Sequence, residues 1–599
     1  MTTLPFVEDS TWTPTAPPSL EGLTQVAIDL ETTGLKWWDG DRPIGISVTS
    51  RRGTQYLPFG HRGGGNLDEA VVKRWAAREL RGKQLIGLNV RFDLHHLREW
   101  GVDLEGVSTA SDVAHSAALL DDHRTRFSLD SLAQEYLGEE KVGTDLDATR
   151  MADYHAGEVA PRAEADSRQA LALHHVFTPQ LNAQGLHKVK ALEDDVIWVV
   201  LEMEKNGCPL DLATLERWLH DSGQDYMRLL WNIYRDTLLH INPSRPADLV
   251  KLCTQLNLPI HDTPDGRPSF TDAVLSSYTD PVMELVRRAR KLASLRSKYL
   301  VKYQQAVGSD GILRYALHQL RADGGGTVSG RFSSSALTRG VGVNIQQVPS
   351  VDLDPDYPIR ALHRPASGQW LSADADQIEY RLFADRAKNP TVLAAYAADP
   401  ALNFHRLMFD RLTHLDGSLT YKDVKTLNFC RLYGGGRAKI AQMLGHITAA
   451  EFETLKRTSS GSDHPRLRAT AAIMTLYNDA LPEVSQMLAT ASHDATQHGY
   501  VTTALGRRAR LHPTEAFRAL NRIIQGSAAD LMKMKLVELH AARQDTGFLM
   551  RFTVHDSVEG DCPDNTCRDR VRAILNTQSL PLSVPIRWTV KTGSSWGAV

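Results

Sequence analysis

Carboxylates follow short apolar runs in both halves of this chain, and this recurrence constrains the fold more than any other feature. One strand-like run leads into Asp29 and Glu31, and a second leads into Asp374. Residues i and i+2 of a strand share a face, so Asp29 and Glu31 are predicted to converge while Leu30 faces the core. A length of 599 residues is too great for one hydrophobic core and predicts three or four structural units.

Two further stretches supply acids for the first pair. Asp93 comes shortly after the strand-like residues 85–88, and Asp166 lies in the helical stretch 164–171. Four carboxylates from three separated elements suit two hard divalent cations bound through oxygen. Such a metal pair activates a water and stabilises the leaving oxygen in phosphodiester hydrolysis. The alternative, surface acids that happen to follow a strand, is what a D-x-E pattern alone would indicate.

The remaining hydrophobic pattern divides the chain coarsely. Mixed strands and helices up to about residue 185 predict an α/β unit, and residues 186–305 are helical in pattern. Residues 391–495 are again helical, whereas 498–511 and 549–560 are typical of strands and hairpins.

Composition excludes several classes of protein. The five cysteines form no CxxC pair, which argues against a disulfide framework or zinc site and favours a reducing compartment. We expect no signal peptide and no membrane span, because no apolar run is long enough. The net charge of −3 is unusual for a nucleic-acid binder, but basic residues concentrate at 287–302. That segment is either a DNA-facing patch or an ordinary solvated helix face.

The first acidic set resembles the three motifs of DnaQ-like 3′→5′ exonucleases. Asp29 and Glu31 match the D-x-E motif, Asp93 ends the N-x-x-x-D motif, and Asp166 matches the last aspartate. The resemblance implies a ribonuclease-H-like exonuclease domain over residues 1–185, with these four carboxylates as catalytic metal ligands. One position departs from the family: Arg162 replaces a tyrosine that orients the attacking water, and a guanidinium has no acceptor lone pair.

The second acidic run, 371–381 (LSADADQIEYR), resembles motif A of Klenow-like family A DNA polymerases. The resemblance implies that Asp374 binds both catalytic metal ions, aided by the carbonyl of Ala375. It also implies that Gln377 and Glu379 contact the nucleotide, with Glu379 excluding a ribose 2′-hydroxyl. Asp376 replaces a residue that is usually small and polar.

Residues 421–434 resemble motif B of the same family. Lys425, Phe429 and Tyr433 are four residues apart and are predicted to line one helix face, where the resemblance places the incoming dNTP. The alternative is an amphipathic core helix with a stray lysine. His405 resembles the triphosphate-contacting histidine, although alone it would be read as an ordinary structural histidine. Tyr421 stands where the family usually has arginine.

Motif C is similar to residues 552–559, in which His555 and Asp556 interrupt two alternating runs. This pattern predicts a hairpin tip that brings Asp556 opposite Asp374. Ser557 replaces the usual glutamate. Residues that the resemblance implies to contact primer-template DNA are Arg331, Asn344, Gln347, Asn521, Gln525 and His555.

The resemblance covers nearly the whole chain and implies an α/β multidomain protein. Residues 186–599 would form the polymerase right hand. The thumb is expected at about 186–340, the palm at about 341–390 and 496–599, and the fingers at about 391–495.

The implied cofactors are two Mg²⁺ ions per active site, with Mn²⁺ as an alternative. The implied partners are primer-template DNA, dNTPs and single-stranded DNA at the exonuclease site. We expect a monomer, without a 5′ nuclease or a thioredoxin-type processivity factor, that replicates phage DNA in the cytoplasm of a bacterial host. Two rival interpretations are a nuclease with a DNA-binding C-terminal region and a non-catalytic scaffold, and neither explains two carboxylate sets.

Overall fold

The computed structural model describes residues 12–263, 265–321, 325–337, 342–414, 419–457 and 465–599. Within these ranges the α/β multidomain prediction is confirmed. No helix among them is long and apolar enough to cross a membrane. Short 3-10 helices occupy Trp37–Asp39, Met151–Asp153, Ile345–Gln347, Val351–Leu353, Ile359–Leu362, Pro465–Leu467, Pro513–Arg518 and Trp596–Ala598.

The N-terminal region is a five-stranded mixed sheet flanked by helices. Its strands are β1 (Gln25–Thr32), β2 (Pro43–Ser50), β3 (Gly53–Pro58), β4 (Gln84–Gly87) and β5 (Thr109–Asp112), in the order β3-β2-β1-β4-β5. Strand β1 is antiparallel to β2 and parallel to β4. Its helices are α1 (Glu69–Glu79), α2 (Val90–Glu99), α3 (Val113–Leu120), α4 (Leu129–Leu137), α5 (Ala156–Ala183) and α6 (His187–Asn206).

Alternation along β1 gives the sheet its two faces. Ile28 and Leu30 pack into one core with Trp75 of α1. Ala27, one residue out of phase, packs into another core with Phe177 of α5. The predicted inward orientation of Leu30 is confirmed, and the opposite face, which carries Asp29, is covered by α5.

The next segment is mostly helical, as predicted. It contains β6 (Cys208–Pro209), α7 (Leu212–Thr237), α8 (Pro246–Gln255), α9 (Asp272–Ser277), α10 (Pro281–Leu295), a π-helical turn (Arg296–Leu300), α11 (Val301–Ala306), β7 (Ile312–Leu313), β8 (Ala316–His318) and β9 (Ser333–Ser335). The basic segment only partly fits either interpretation. Arg296 donates a hydrogen bond to the carbonyl of Leu219 in α7, and Arg290 donates to that of Phe270 in the loop before α9, so both cations make contacts within the protein.

The C-terminal half is built on a second, antiparallel sheet of order β13-β14-β10-β15. Its elements in chain order are β10 (Gln369–Ala375), α12 (Ile378–Ala387), α13 (Pro390–Ala398), α14 (Phe404–Thr413), α15 (Tyr421–Leu432), α16 (Arg437–Met443), α17 (Ala449–Arg457), α18 (Arg468–Ala480), α19 (Pro482–His498), β11 (Tyr500–Thr502), β12 (Arg508–Arg510), α20 (Ala519–Ala541), α21 (Arg543–Thr546), β13 (Leu549–Val554), β14 (Ser557–Cys562), α22 (Asn565–Asn576) and β15 (Trp588–Gly593). Trp370, Phe552 and Trp596 pack together in its core.

A buried ionic cluster ties the two halves together. Glu193 of α6 accepts hydrogen bonds from Arg507 and from Lys533 of α20, the latter at 2.6 Å. Arg507 also pairs with Asp530 at 2.7 Å, and all four side chains are buried. Two carboxylates and two cations balance the charge of the cluster, which fixes α6 against α20.

Candidate active sites

The first acidic set assembles on one face of the N-terminal sheet. Asp29 and Glu31 come from β1, Asp93 from the first turn of α2, and Asp166 from α5. The backbone N–H of Leu30 donates to Asp93 Oδ1 at 3.0 Å, which joins α2 directly to the strand. The structure therefore brings the four predicted carboxylates into one cluster.

This cluster is short of positive charge. Burial, followed by repulsion from Asp93 and Asp166, raises the pKa of Asp29 well above its usual value. Burial also raises the pKa of Glu31 to about 7 and that of Asp166 to about 6. A divalent cation stabilises the charged form of buried carboxylates that repel one another.

Arg162 is close to this cluster. Its Nε lies 3.9 Å from Glu31 Oε1, and its charge lowers the pKa of both Glu31 and Asp166, against the larger effect of burial. The arginine thus neutralises part of the cluster from the position where the resembling family has tyrosine. Because guanidinium nitrogens only donate, Arg162 cannot accept a proton from a water.

Tyr56 is a residue that the sequence analysis missed. Asp29 pairs with Ser47 on β2, and Ser47 pairs with Tyr56 on β3, so the three side chains share a face. The negative charges of Glu31 and Asp29 contribute, after burial, to the raised pKa of Tyr56. Its hydroxyl lies 2.7 Å from His61 Nε2. Only the strand register reveals this proximity, because no local motif marks Tyr56.

The second acidic pair forms at the edge of the C-terminal sheet. His555 and Asp556 are the two-residue turn between β13 and β14, as predicted, and His555 has a φ of 55°. The N–H of Ala375 donates to the carbonyl of Asp556 at 3.0 Å, so the turn lies against the end of β10. Burial and then repulsion from Asp556 raise the pKa of Asp374 to about 6.

The structure explains how the additional charge of Asp376 is accommodated. Thr589 donates a hydrogen bond to Asp376 Oδ1 at 2.8 Å, and Arg587 Nε lies 3.5 Å from Oδ2. Thr589 lies at the start of β15, and Arg587 lies just before it. Asp376 is therefore paired at the edge of the sheet, although its charge still adds to the raised pKa of Asp374.

Helix α15 presents the predicted face. Lys425 is exposed, and the rings of Phe429 and Tyr433 stack with centroids 6.2 Å apart. Burial and the nearby Lys425 charge lower the pKa of His405 to about 4, so the predicted triphosphate contact is neutral near pH 7. His405 Nδ1 lies 3.0 Å from Asn428 Nδ2. Gln377 contacts the start of α14, because its Oε1 accepts from the N–H of Phe404 at 3.1 Å.

Glu379 connects this face to the acidic pair. Tyr433 donates to one of its oxygens and Arg331 to the other. Arg331 Nη2 also lies 3.4 Å from Asp556 Oδ1. Arg331, predicted to contact DNA, thus contacts two carboxylates of the site in this structure.

Of the other predicted DNA-contacting residues, Gln525 contacts a residue of this site. Asn344 caps a 3-10 helix that ends at Gln347, whose side chain is exposed. Asn521 and Gln525 lie one turn apart on α20, and Gln525 hydrogen-bonds to Tyr433.

The donor chemistry at both acidic clusters fits hard divalent cations, since every candidate side-chain ligand is a carboxylate. Within the described ranges, no three acidic, histidine or cysteine side chains converge closely enough to make a ready ligand set. The carboxylates of each cluster therefore lie near one another without forming a closed coordination shell.

Two family models match this chain. "DNA polymerase family A" matches residues 213–598, and "3'-5' exonuclease" matches residues 7–182. A similar protein is DNA polymerase DpoZ of Salmonella phage PMBT28, 27% identical over 95% of this chain and 96% of its own length. DNA polymerase I of Pseudomonas aeruginosa is 26% identical over 96% of this chain but 64% of its own length.

A solved structure shares the fold. It is the POL domain of Pol1 from M. smegmatis in complex with DNA primer-template and dNTP, with a TM-score of 0.77 and 22% identity. The match covers 96% of each chain.

Proposed function

The chain belongs to DNA polymerase family A and carries a 3′→5′ exonuclease region before the polymerase region, and from this premise we propose which residues perform each reaction. Its function is template-directed DNA synthesis with exonucleolytic proofreading. Both activities depend on divalent metal ions in these families. The proposal is that Asp374 and Asp556 serve synthesis, and that Asp29, Glu31 and Asp93, with Asp166, serve hydrolysis.

In synthesis, Asp374, the carbonyl of Ala375 and Asp556 would hold two Mg²⁺ ions, with Mn²⁺ as an alternative. The ions would lower the pKa of the attacking primer hydroxyl and stabilise the negative charge of the leaving pyrophosphate. Lys425, exposed on α15, holds the triphosphate and donates a proton to pyrophosphate. The neutral imidazole of His405 donates a hydrogen bond beside it.

Residues of α15 and α12 would select the sugar and the base of the incoming nucleotide. Phe429 lies against the deoxyribose, and Tyr433 lies beside the nascent base pair. Glu379, held by Tyr433 and Arg331, occupies the space that a ribose 2′-hydroxyl would need. When DNA binds, Arg331 exchanges its longer contact with Asp556 for the primer terminus and keeps its hydrogen bond to Glu379. Asn344, Gln347, Asn521, Gln525 and His555 complete the primer-template contacts.

In proofreading, the four N-terminal carboxylates would hold a second pair of Mg²⁺ ions, and these would bind the phosphate at a single-stranded 3′ end. Arg162 donates to the scissile phosphate while reducing repulsion around Glu31. Because it cannot accept a proton, the attacking water is oriented by the carboxylates themselves.

We propose the domain bounds that the family resemblance implies. Residues 1–185 form the exonuclease domain and 186–599 the right hand. Its thumb covers about 186–340, its palm about 341–390 and 496–599, and its fingers about 391–495. We further propose a monomer that replicates phage DNA in the cytoplasm of a bacterial host, without a thioredoxin-type factor. The phage relatives support this setting.

The observation that carries the proposal is the contact of the Asp556 turn with the end of β10, which places Asp374 and Asp556 together. Extension of a labelled primer on a template with Mg²⁺ tests it. The proposal expects elongation with dNTPs and shortening without them. A nuclease with a DNA-binding region would only shorten the primer, and a scaffold would leave it unchanged.

A further inference from the structure

We propose that Glu559 is a positioning residue for the polymerase metal site, because it holds β10, which carries Asp374, and β14, which begins directly after Asp556, in a fixed relation. This inference rests on the proposed roles of those two aspartates. It assigns a function to a buried carboxylate at the end of residues 552–559 that has no role in the proposed reaction.

The geometry is a three-way hydrogen bond. Ser372 of β10 and Ser557 of β14 both donate to Glu559 Oε1, each at 2.9 Å. Trp370 Nε1 donates to Glu559 Oε2 at 2.8 Å. Glu559 is 2% exposed, so water does not compete effectively for these bonds.

The two serines are adjacent to the proposed metal ligands. Ser372 lies two residues before Asp374, on the same face of β10, and Ser557 directly follows Asp556. Ser557 also pairs with Asp374 across the sheet, and Ser372 pairs with Glu559. One carboxylate oxygen therefore receives one hydroxyl from each strand that bears an aspartate.

This arrangement accounts for Ser557, which stands where the resembling motif has glutamate. A carboxylate is still present near Asp374 and Asp556. It is that of Glu559, two residues further along β14 than Ser557, and it acts through the Ser557 hydroxyl. The three hydrogen bonds join β10 to β14 through one side chain, so Glu559 resists separation of β10 from the β13–β14 turn. Residues that orient metal ligands in this way typically change metal affinity or activity by about 10–100-fold when replaced.

The test measures Mn²⁺ binding by electron paramagnetic resonance in a complex with a dideoxy-terminated primer-template and the next dNTP. An Asp29→Ala, Glu31→Ala background removes the exonuclease metal site. Glu559→Ala should weaken Mn²⁺ binding about tenfold. The Ser372→Ala, Ser557→Ala double variant should weaken Mn²⁺ binding similarly. It keeps the buried carboxylate of Glu559, so it tests the proposal even if Glu559→Ala does not fold.

Combining the three substitutions gives the sharpest result. If Glu559 acts through the serines, adding both serine changes to Glu559→Ala produces no further loss of Mn²⁺ binding. Independent, multiplying losses would overturn the proposal, and so would unchanged Mn²⁺ binding in Glu559→Ala.

Asp561→Asn is the matched control, because Asp561 lies two residues further on the same face of β14 and pairs with buried Arg551. Asp561→Asn should lower stability without changing Mn²⁺ affinity. If it weakens Mn²⁺ binding as much as Glu559→Ala does, Glu559 has only a structural role. Asp374→Ala separates this inference from the proposed function. If that variant retains full Mn²⁺ binding, the metal roles themselves are wrong.

Discussion

The hydroxyl of Tyr433 donates a hydrogen bond of 3.0 Å to Glu379 Oε2, joining the end of α15 to the first turn of α12. Arg331 holds the other oxygen of the same carboxylate. A side chain held at both oxygens is fixed in position, as a residue that excludes a hydroxyl sterically must be.

Glu379→Ala should relax discrimination against ribonucleotides, because it empties the space proposed for a 2′-hydroxyl. Tyr433→Phe keeps the ring and removes one hydrogen bond to a charged group, worth about 1.5–3 kcal/mol. We expect its discrimination to fall about tenfold, between wild type and Glu379→Ala. The measurement is the ratio of kcat/KM for dNTP and rNTP. Unaltered ratios in both variants would show that Glu379 does not face the sugar.

Discrimination against dideoxynucleotides should follow Phe429. Phe429→Tyr supplies a phenolic donor that replaces the hydrogen bond lost with the 3′-hydroxyl, worth about 1.5–3 kcal/mol to a charged phosphate oxygen. Chain termination by ddNTPs should rise about tenfold or more in competition with dNTPs. Phe409→Tyr, on neighbouring α14, is the control and should leave termination unchanged. Equal effects in the two variants would contradict the proposed orientation of Phe429.

Tyr421→Arg should lower the KM for dNTPs. Tyr421 lies one turn before Lys425 on α15, is 37% exposed, and its ring lies 5.9 Å from that of Phe409. The nearby Arg406 pairs with Asp410 at 3.0 Å, so that cation already has a carboxylate partner. A charge-assisted contact to the γ-phosphate is about twice as strong as the neutral one that tyrosine offers.

Steady-state extension kinetics provide the measurement for Tyr421→Arg. Lys422→Met is the control, because Lys422 is rotated by about 100° around the helix and should leave KM unchanged. An unchanged or higher KM in a folded Tyr421→Arg variant would place residue 421 away from the triphosphate.

Glu193→Gln should destabilise the contact between the two halves. Removing one carboxylate leaves Arg507 and Lys533 with Asp530 alone, and breaking such a buried pair costs about 3–5 kcal/mol. Burial raises the pKa of Glu193, but the charges of Lys533 and Arg507 together lower it by more, so the pKa in the folded state is well below 4.5. A lowered folded pKa contributes stability above pH 4.5 that is lost as the pH falls below it.

Urea unfolding at several pH values tests this expectation. The difference between wild type and Glu193→Gln should be full at pH 7 and should shrink below about pH 4.5. Glu202→Gln, on the same helix but with partly exposed ion-pair partners, should cost less than about 1 kcal/mol. Similar losses from the two substitutions would show that the buried cluster does not hold the halves together.

The sequence predicted features whose signal is local. Strand β1, the His555–Asp556 turn and the helical spacing of Lys425 and Phe429 follow from periodicity over a few residues. Strand register and long-range contacts were not predictable in this way. The nearness of Tyr56 to Glu31 and the pairing of Asp376 with Arg587 depend on which strands lie side by side. No spacing within one segment carries that information.

The buried use of basic residues was missed for the same physical reason. A run of arginines predicts a charged surface, but Arg296 donates a hydrogen bond to the backbone carbonyl of Leu219 in α7 across a helix–helix contact. The hydrogen-bond partners of Glu559 were likewise invisible, because Ser372 and Glu559 are far apart in sequence and meet only in the antiparallel register of β10 and β14.

The central claim, that one chain holds two independent metal-dependent sites, is tested most directly by separating them. Asp374→Ala and the Asp29→Ala, Glu31→Ala double variant are each assayed for primer extension and for degradation of single-stranded DNA with Mg²⁺. Because each change removes ligands from its own site, effects at separate sites should be independent. We predict that Asp374→Ala abolishes extension and retains degradation, and that the double variant does the reverse. Loss of degradation in a folded Asp374→Ala variant would contradict the account.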